Sequence, residues 1–188
     1  MALSKKNFMK KFSTTENEPG KVLIPQDRLQ KRVSELGSEI SQAYAHKDLV
    51  LVAILKGSFI FAADLLRAIT IEASIDFMAI SSYGHQNSSG VVRITKDLDE
   101  SIQGRSVLLV EDIIDTGLTA NYLLQALRRR GPATVEICAL LDKSARRIIE
   151  LPIRYRGFEI PDVFVVGYGM DHQQRYRNLP HITTLRQT

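Results

Sequence analysis

The sequence predicts an α/β fold, with a central, mostly parallel sheet flanked by helices. Three observations predict it. Leu49–Leu55 is a continuous apolar run, the pattern of a strand buried on both faces, and the mainly apolar Ser106–Val110 and Thr134–Leu141 read as further strands. Segments of helical periodicity separate them, so right-handed crossovers should return each strand parallel to the last. One of these strands runs into paired carboxylates, then a Gly- and Thr-containing loop, then a helix. Open α/β sheets hold phosphorylated ligands at such strand ends.

The elements follow in order. Lys5, Lys6, Lys10 and Lys11 surround Asn7, Phe8 and Met9, and no acid precedes Glu16. With no apolar h-region, residues 1–20 read as a basic, disordered extension rather than a secretory signal. Pro19-Gly20 closes it, and a single domain over 21–188 follows. Leu29, Val33, Leu36, Ile40 and Tyr44 recur at helical spacing and predict an amphipathic helix over about Gln26–Ala45. The strand Leu49–Leu55 breaks at Lys56-Gly57-Ser58, and a helix capped by Ser58 is expected over Phe59–Ile69. Ile75–Ile80 reads as a strand, Tyr83–Gly90 as a polar loop, and Val91–Ile94 as the returning arm of a hairpin. The helix after Ser106–Val110 uses Leu123, Leu124 and Leu127 as its core face. Arg128-Arg129-Arg130 and Gly131-Pro132 stop it. Thr134–Leu141 and Val163–Val166 supply two further strands.

Composition narrows the class. A chain of 188 residues with a formal charge of +4 suits one domain with a sizeable core. The small positive excess fits a polyanionic small substrate or a nucleic acid. One cysteine, Cys138, excludes an internal disulfide and lies in an apolar run, as a core thiol does. No apolar run reaches the roughly 18 residues of a membrane span, and nothing asks for an oxidising compartment, so a cytoplasmic protein is expected. His46, His85, His172 and His181 show no metal-ligand spacing. No Walker A pattern occurs, and Gly167-Tyr168-Gly169 lacks the third glycine of a dinucleotide fingerprint.

The chemistry concentrates between Glu111 and Thr119. Asp115-Thr116-Gly117-Leu118-Thr119 combines a glycine for close approach, two hydroxyls and the free N–H groups of a helix N-terminus, which together suit a phosphate. The alternative is an ordinary helix cap by Asp115 or Thr116. Glu111 and Asp112 would repel that phosphate, and suit sugar hydroxyls or a metal ion instead. Neighbours on a strand face opposite ways, so both should face one ligand only if the strand has ended before them. The segment therefore reads as a site for a ribose that carries a phosphate.

Glu111-Asp112-Ile113-Ile114-Asp115-Thr116-Gly117 resembles the signature of the type I phosphoribosyltransferases, and most of all their hypoxanthine-guanine branch. The resemblance runs from about Val22 to Leu185. It implies the type I fold, with a small hood built from N- and C-terminal segments. It further implies purine salvage: a Mg²⁺-dependent glycosyltransferase that moves 5-phosphoribosyl from phosphoribosyl pyrophosphate to N9 of hypoxanthine or guanine. By position, Glu111 and Asp112 would bind the ribose, and residues 115–119 the 5′-phosphate. Asp115 would be the acid or base at purine N7. Lys56 and Gly57 would bind pyrophosphate on a loop that can hold a non-proline cis peptide, and Arg177 would also grip pyrophosphate. Ser82 and Tyr83 would open a lid that excludes water. Lys143 would meet the purine O6, Phe164 would stack on the base and Val165 would offer it backbone groups. Asp171 would hold Mg²⁺, with Glu111 and Asp112 beside it. The chain departs from the pattern at Ser144-Ala145 and at His172. A homodimer or homotetramer is implied, with no nucleic-acid or membrane partner. Two other readings stand beside this one: an RNA-binding regulator on the same fold, and a phosphoribosyltransferase for xanthine, adenine or another base. Salt-sensitive RNA binding would favour the first, and a panel of bases would separate the second.

Overall fold

A computed structural model describes residues 18–83 and 91–186, with the side chains of 82, 83, 91 and 92 left out. The expected basic extension falls almost wholly outside the described residues, as does the loop predicted between Tyr83 and Gly90. Two sheets organise the chain. The larger contains β2 (Leu49–Leu55), β3 (Ala73–Tyr83), β4 (Val91–Lys96), β5 (Ser106–Ile114), β6 (Thr134–Asp142) and β7 (Ile153–Glu159), in the order β4-β3-β2-β5-β6-β7. All neighbours are parallel except β3 and β4, which form the predicted hairpin.

The apolar runs work as expected. Along β2, Leu49, Leu51 and Ala53 enter one core and Val50, Val52 and Ile54 the other. That is the period-2 signature of a strand covered on both faces. Helices α1 (Gln26–Ala43) and α2 (Phe59–Ala68) cover the first face through Leu29, Leu36, Ile40, Phe61 and Leu65. Helix α3 (Leu118–Arg128) covers the second through Leu123, Leu124 and Leu127. Cys138 is fully buried in the first core. Past α3 the backbone turns at Gly131, whose φ of +70° suits its expected role as the helix stop.

Three expectations are corrected. Ser58 makes no cap hydrogen bond; its hydroxyl donates instead to the Ile54 carbonyl at 2.7 Å, finishing the end of β2. Strand β5 does not end at Val110. It runs through both carboxylates to Ile114, because Glu111, Ile113 and Ile114 pair with Ala139, Leu141 and Asp142 of β6. The strand expected at Val163–Val166 shrinks to β8 (Val165–Val166) and leaves the parallel sheet. It joins β9 (Ile182–Leu185), which also pairs with β1 (Pro19–Ile24), in an antiparallel sheet ordered β1-β9-β8. This is the hood of N- and C-terminal segments, and it takes in Pro19 and Gly20.

The chain leaves β2 for β3 on one side and returns to β5 on the other. This reversal leaves a crevice at the carboxyl ends of β2 and β5, where open α/β sheets bind ligands. Leu55-Lys56-Gly57 and the 111–117 segment lie at that edge.

Candidate active site

The crevice contains two adjoining cavities. The smaller, about 250 Å³, is lined by Gly57, Glu111, Asp112, Thr116, Gly117 and Thr119 among others. The larger, about 490 Å³, is lined by Lys56, Lys143, Phe164, Asp171 and Arg177, with Val165, Arg146 and Met170. Gly57, Asp112, Ile113 and Asp115 border both. A volume of that order suits a small-molecule ligand.

The phosphate-type turn is built by backbone geometry. Gly117 adopts φ +86°, a left-handed conformation that glycine takes without strain. A Cβ there would sit 2.9 Å from the Ile149 carbonyl oxygen. The Thr116 carbonyl accepts from Ile148 N at 2.9 Å and Ile149 N at 3.3 Å, so the 147–149 segment braces the turn from outside. Gly117, not Asp115 or Thr116, occupies the cap position of α3, and no side chain caps the helix. The Thr116 hydroxyl lies 3.5 Å from Leu118 N. The first turn of α3 carries no acid, and its N–H groups have no acceptor within the helix. Leu118 is 49% exposed and lines neither cavity.

Glu111 and Asp112 both line the smaller cavity, although β5 does not end before them as expected but continues to Ile114. Glu111 is buried. Burial holds its carboxyl well above the usual range, and the charge of Asp112 adds to the rise. Burial also pushes the Asp112 carboxyl up, to about 6, against the pull of backbone N–H groups and of Arg177. Neither has a salt-bridge partner among the described residues. Two desolvated acids side by side call for a cation or for hydroxyl donors. Asp112 also packs on the loop before it, since a Cβ at Gly57 would fall 1.8 Å from Asp112 Oδ2.

That loop begins with a cis bond between Leu55 and Lys56. Lys56 is exposed and makes no ion pair among the described residues. Across the larger cavity, Arg177 donates to the Gly169 carbonyl at 2.7 Å and pairs with Asp171 at 2.7 Å. Phe164 is 42% exposed and meets the His172 ring edge-on at 5.6 Å. Lys143 is almost sealed, with 7% of its side chain exposed, and its ammonium lies 3.6 Å from Asp162. Arg146 Nε approaches Asp115 Oδ1 to 3.1 Å. The approach is off the N–H direction, and that oxygen is buried without a hydrogen bond.

The fold thus brings thirteen of the residues singled out in the sequence around one crevice: Lys56, Gly57, Glu111, Asp112, Asp115, Thr116, Gly117, Thr119, Lys143, Phe164, Val165, Asp171 and Arg177. Ser82 and Tyr83 end β3, opposite Val92 and Val91 in the hairpin; their side chains lie outside the described set. Arg146, Met170 and Asp162 were not singled out. Two adjacent arginines after β6 were visible in the sequence, but not that Arg146 would line the cavity while Arg147 pairs with the buried Asp142. No group of three or more His, Cys, Asp or Glu among the described residues forms a ready metal cage. The donor set still fits Mg²⁺, which takes one or two carboxylates and completes its shell with water and substrate oxygens.

A mostly parallel sheet with an adjacent acid pair and a glycine turn opening a helix at its reversal point is the arrangement expected of a phosphoribosyl-binding domain. Comparison with known proteins agrees: residues 25–173 match the phosphoribosyl transferase domain model. The chain is 49% identical over 171 residues to a hypoxanthine-guanine phosphoribosyltransferase of Mycobacterium avium, covering 87% of this chain and 84% of that one. It is 48% identical over 164 residues to the hypoxanthine phosphoribosyltransferase of Escherichia coli K12, covering 86% and 92%. A crystal structure of a Bacillus anthracis hypoxanthine-guanine phosphoribosyltransferase superposes with a TM-score of 0.86 at 43% identity, covering 91% of this chain and 99% of that one. The chain belongs to the phosphoribosyltransferase family, in its hypoxanthine(-guanine) branch. Among the described residues no helix is long and apolar enough to cross a membrane.

Proposed function

We propose that this protein is a hypoxanthine(-guanine) phosphoribosyltransferase of purine salvage. It transfers 5-phosphoribosyl from phosphoribosyl pyrophosphate to N9 of a 6-oxopurine, giving IMP or GMP and pyrophosphate. One observation carries the reading: the acid pair, the phosphate turn and the base-site residues Lys143 and Phe164 line adjoining cavities at the sheet's reversal point.

The N–H groups and hydroxyls of the 115–119 loop hold the 5′-phosphate. Glu111 and Asp112 accept from the ribose hydroxyls. Lys56, Gly57 and Arg177 take the pyrophosphate. Phe164 stacks on the purine and Val165 meets its edge through the backbone. Lys143 donates to O6, a contact that adenine, with a 6-amino donor, does not return. Asp115 accepts the N7 proton as the N9–C1′ bond forms. Ser82 and Tyr83 open a lid over the reacting sugar. Asp171, with Glu111 and Asp112 alongside, is the set that would hold Mg²⁺, which when bound neutralises charge on the leaving pyrophosphate. The rate gain comes from positioning and fixed charges rather than a covalent intermediate. In this reading the catalytic domain begins with β1 at Pro19 rather than at residue 21. We place the enzyme in the cytoplasm as a homodimer or homotetramer, with small-molecule substrates and no nucleic-acid or membrane partner.

The test is pyrophosphate release with hypoxanthine, guanine, xanthine and adenine in turn, with and without Mg²⁺. Release with the first two, dependent on the metal, is expected. Release with adenine alone would overturn the base assignment, and salt-sensitive RNA binding without release would favour a regulator.

A further inference from the structure

The rim of the larger cavity holds four charges in alternating order. Lys143 Nζ lies 3.6 Å from Asp162 Oδ1. The same oxygen lies 3.4 Å from Arg146 Nη1, and Arg146 Nε lies 3.1 Å from Asp115 Oδ1. The backbone builds this chain of charges. Arg146 N donates to the Lys143 carbonyl at 3.0 Å, closing a 3₁₀ turn that brings position 146 back over 143. Asp162 comes from the segment after β7, where Val163 N donates to the Pro161 carbonyl at 2.8 Å.

Lys143 and Asp115 are the ends of the chain, and both line the cavity. The middle pair is half open to water, Asp162 at 53% and Arg146 at 47% of their side chains. Ion pairs that exposed stabilise a fold little. Lys143 is different: its side chain is nearly sealed, and Asp162 is its charge partner among the described residues. An ammonium taken out of water needs such a partner to stay charged and aimed.

We propose that Asp162 and Arg146 are positioning residues of the base site. Asp162 aims Lys143 at the purine O6, and Arg146 holds Asp115 against N7, two atoms that are neighbours on a 6-oxopurine. The inference rests on the base-site reading given above. Asp162 lines neither cavity and acts through Lys143 and Arg146. Without its charge, two cations face each other across the gap and Lys143 swings off its acceptor. Without the guanidinium, Asp115 loses its brace and samples positions out of reach of N7.

The experiment compares wild type, Asp162→Asn, Asp162→Glu, Arg146→Gln and the double variant Asp162→Asn/Arg146→Gln in steady-state transfer to hypoxanthine, with thermal melts alongside. Asp162→Asn should raise KM for the purine about tenfold, the scale of one charge-assisted hydrogen bond. Asp162→Glu should recover part of that loss. Arg146→Gln should lower kcat about fivefold, the upper end for losing a half-exposed ion pair. KM for phosphoribosyl pyrophosphate should stay within about twofold in each, since its contacts lie elsewhere. The double variant should lose less than the product of the singles, because one oxygen of Asp162 serves both partners. The proposal is overturned if kcat and purine KM stay near wild type in both single variants. It is also overturned if KM for phosphoribosyl pyrophosphate rises in step with that for the purine, or if lost activity merely follows a lowered melting temperature. Should Asp162→Asn fail to fold, Arg146→Gln and Asp162→Glu decide. A wild type that releases no pyrophosphate with either 6-oxopurine defeats the base-site reading itself. An active wild type with unaltered variants defeats only this inference.

Discussion

Asp115 has a charged neighbour that does not satisfy it. Its Oδ1 is buried and accepts no hydrogen bond, yet Arg146 stands 3.1 Å away, off axis. A buried acceptor left without a donor costs free energy, and a purine N7–H brought to this oxygen would supply the missing donor. Asparagine keeps the shape but replaces one carboxylate oxygen with an amide and removes the charge that takes the proton. Asp115→Asn should therefore lower kcat by about 10²–10⁴-fold, the usual contribution of a placed acid or base. Binding of phosphoribosyl pyrophosphate, measured by calorimetry, should survive, because the phosphate turn is held by backbone at Gly117 and Thr116. A variant with wild-type turnover would remove Asp115 from the mechanism.

Among the elements, the Lys56-Gly57 loop is tightly confined. A Cβ at Gly57 would lie 1.8 Å from Asp112 Oδ2, and one at Gly169 would lie 2.2 Å from the Gly57 carbonyl oxygen. The loop is thus pressed between the acid pair and the turn before Asp171. Gly57→Ala should move the Asp112 carboxylate and raise KM for phosphoribosyl pyrophosphate about tenfold or more, as a shift of about 1 Å at a site can. Urea titration should show a smaller effect on stability than on KM. The tightness of this loop was not legible in the sequence, which shows a glycine but not what approaches it. Strands β2, β5 and β6 were legible because burial on both faces leaves mainly apolar runs. Strand β7 was missed: Arg154, Arg156 and Glu159 stay exposed at the sheet edge, so no apolar run marks it. The extent of β5 was underestimated because carboxylates inside a strand look like its end. Arg146 and Asp162 were visible only as charges, since no local pattern says which charges will meet across β6 and β7.

At the scale of the molecule, two seams join distant parts of the chain. The hood joins residues 19–24, 165–166 and 182–185, a union that no local pattern announces. Its central strand buries Ile182 completely and Thr183 almost so, and the Thr183 hydroxyl donates to the Lys21 carbonyl at 2.9 Å. Ile182→Ala should cost about 2–4 kcal/mol in urea unfolding, the range for truncating a buried aliphatic side chain. It should also raise KM for the purine, because β9 pairs with Val165. The second seam is Asp76 on β3, whose carboxylate accepts from Phe77 N at 2.6 Å, Asp99 N at 2.8 Å and Glu100 N at 3.3 Å. Lys96 Nζ adds a contact at 3.7 Å. Burial alone would raise this carboxyl, but the three N–H donors and Lys96 outweigh it, and the folded state holds it below its ordinary value. A group whose proton is bound less tightly in the folded state stabilises the fold above its unfolded pKa, here about 3.9. That contribution is lost as pH falls through the depressed folded value. Wild-type stability should therefore drop below about pH 4 in part through Asp76. Asp76→Ala should cost about 1–3 kcal/mol at neutral pH, for a charged acceptor removed from backbone donors. The gap between variant and wild type should narrow as the pH approaches 2. Parallel unfolding curves between pH 2 and 7 check this, and a gap that stays constant across the range would assign the loss to packing rather than to the charge.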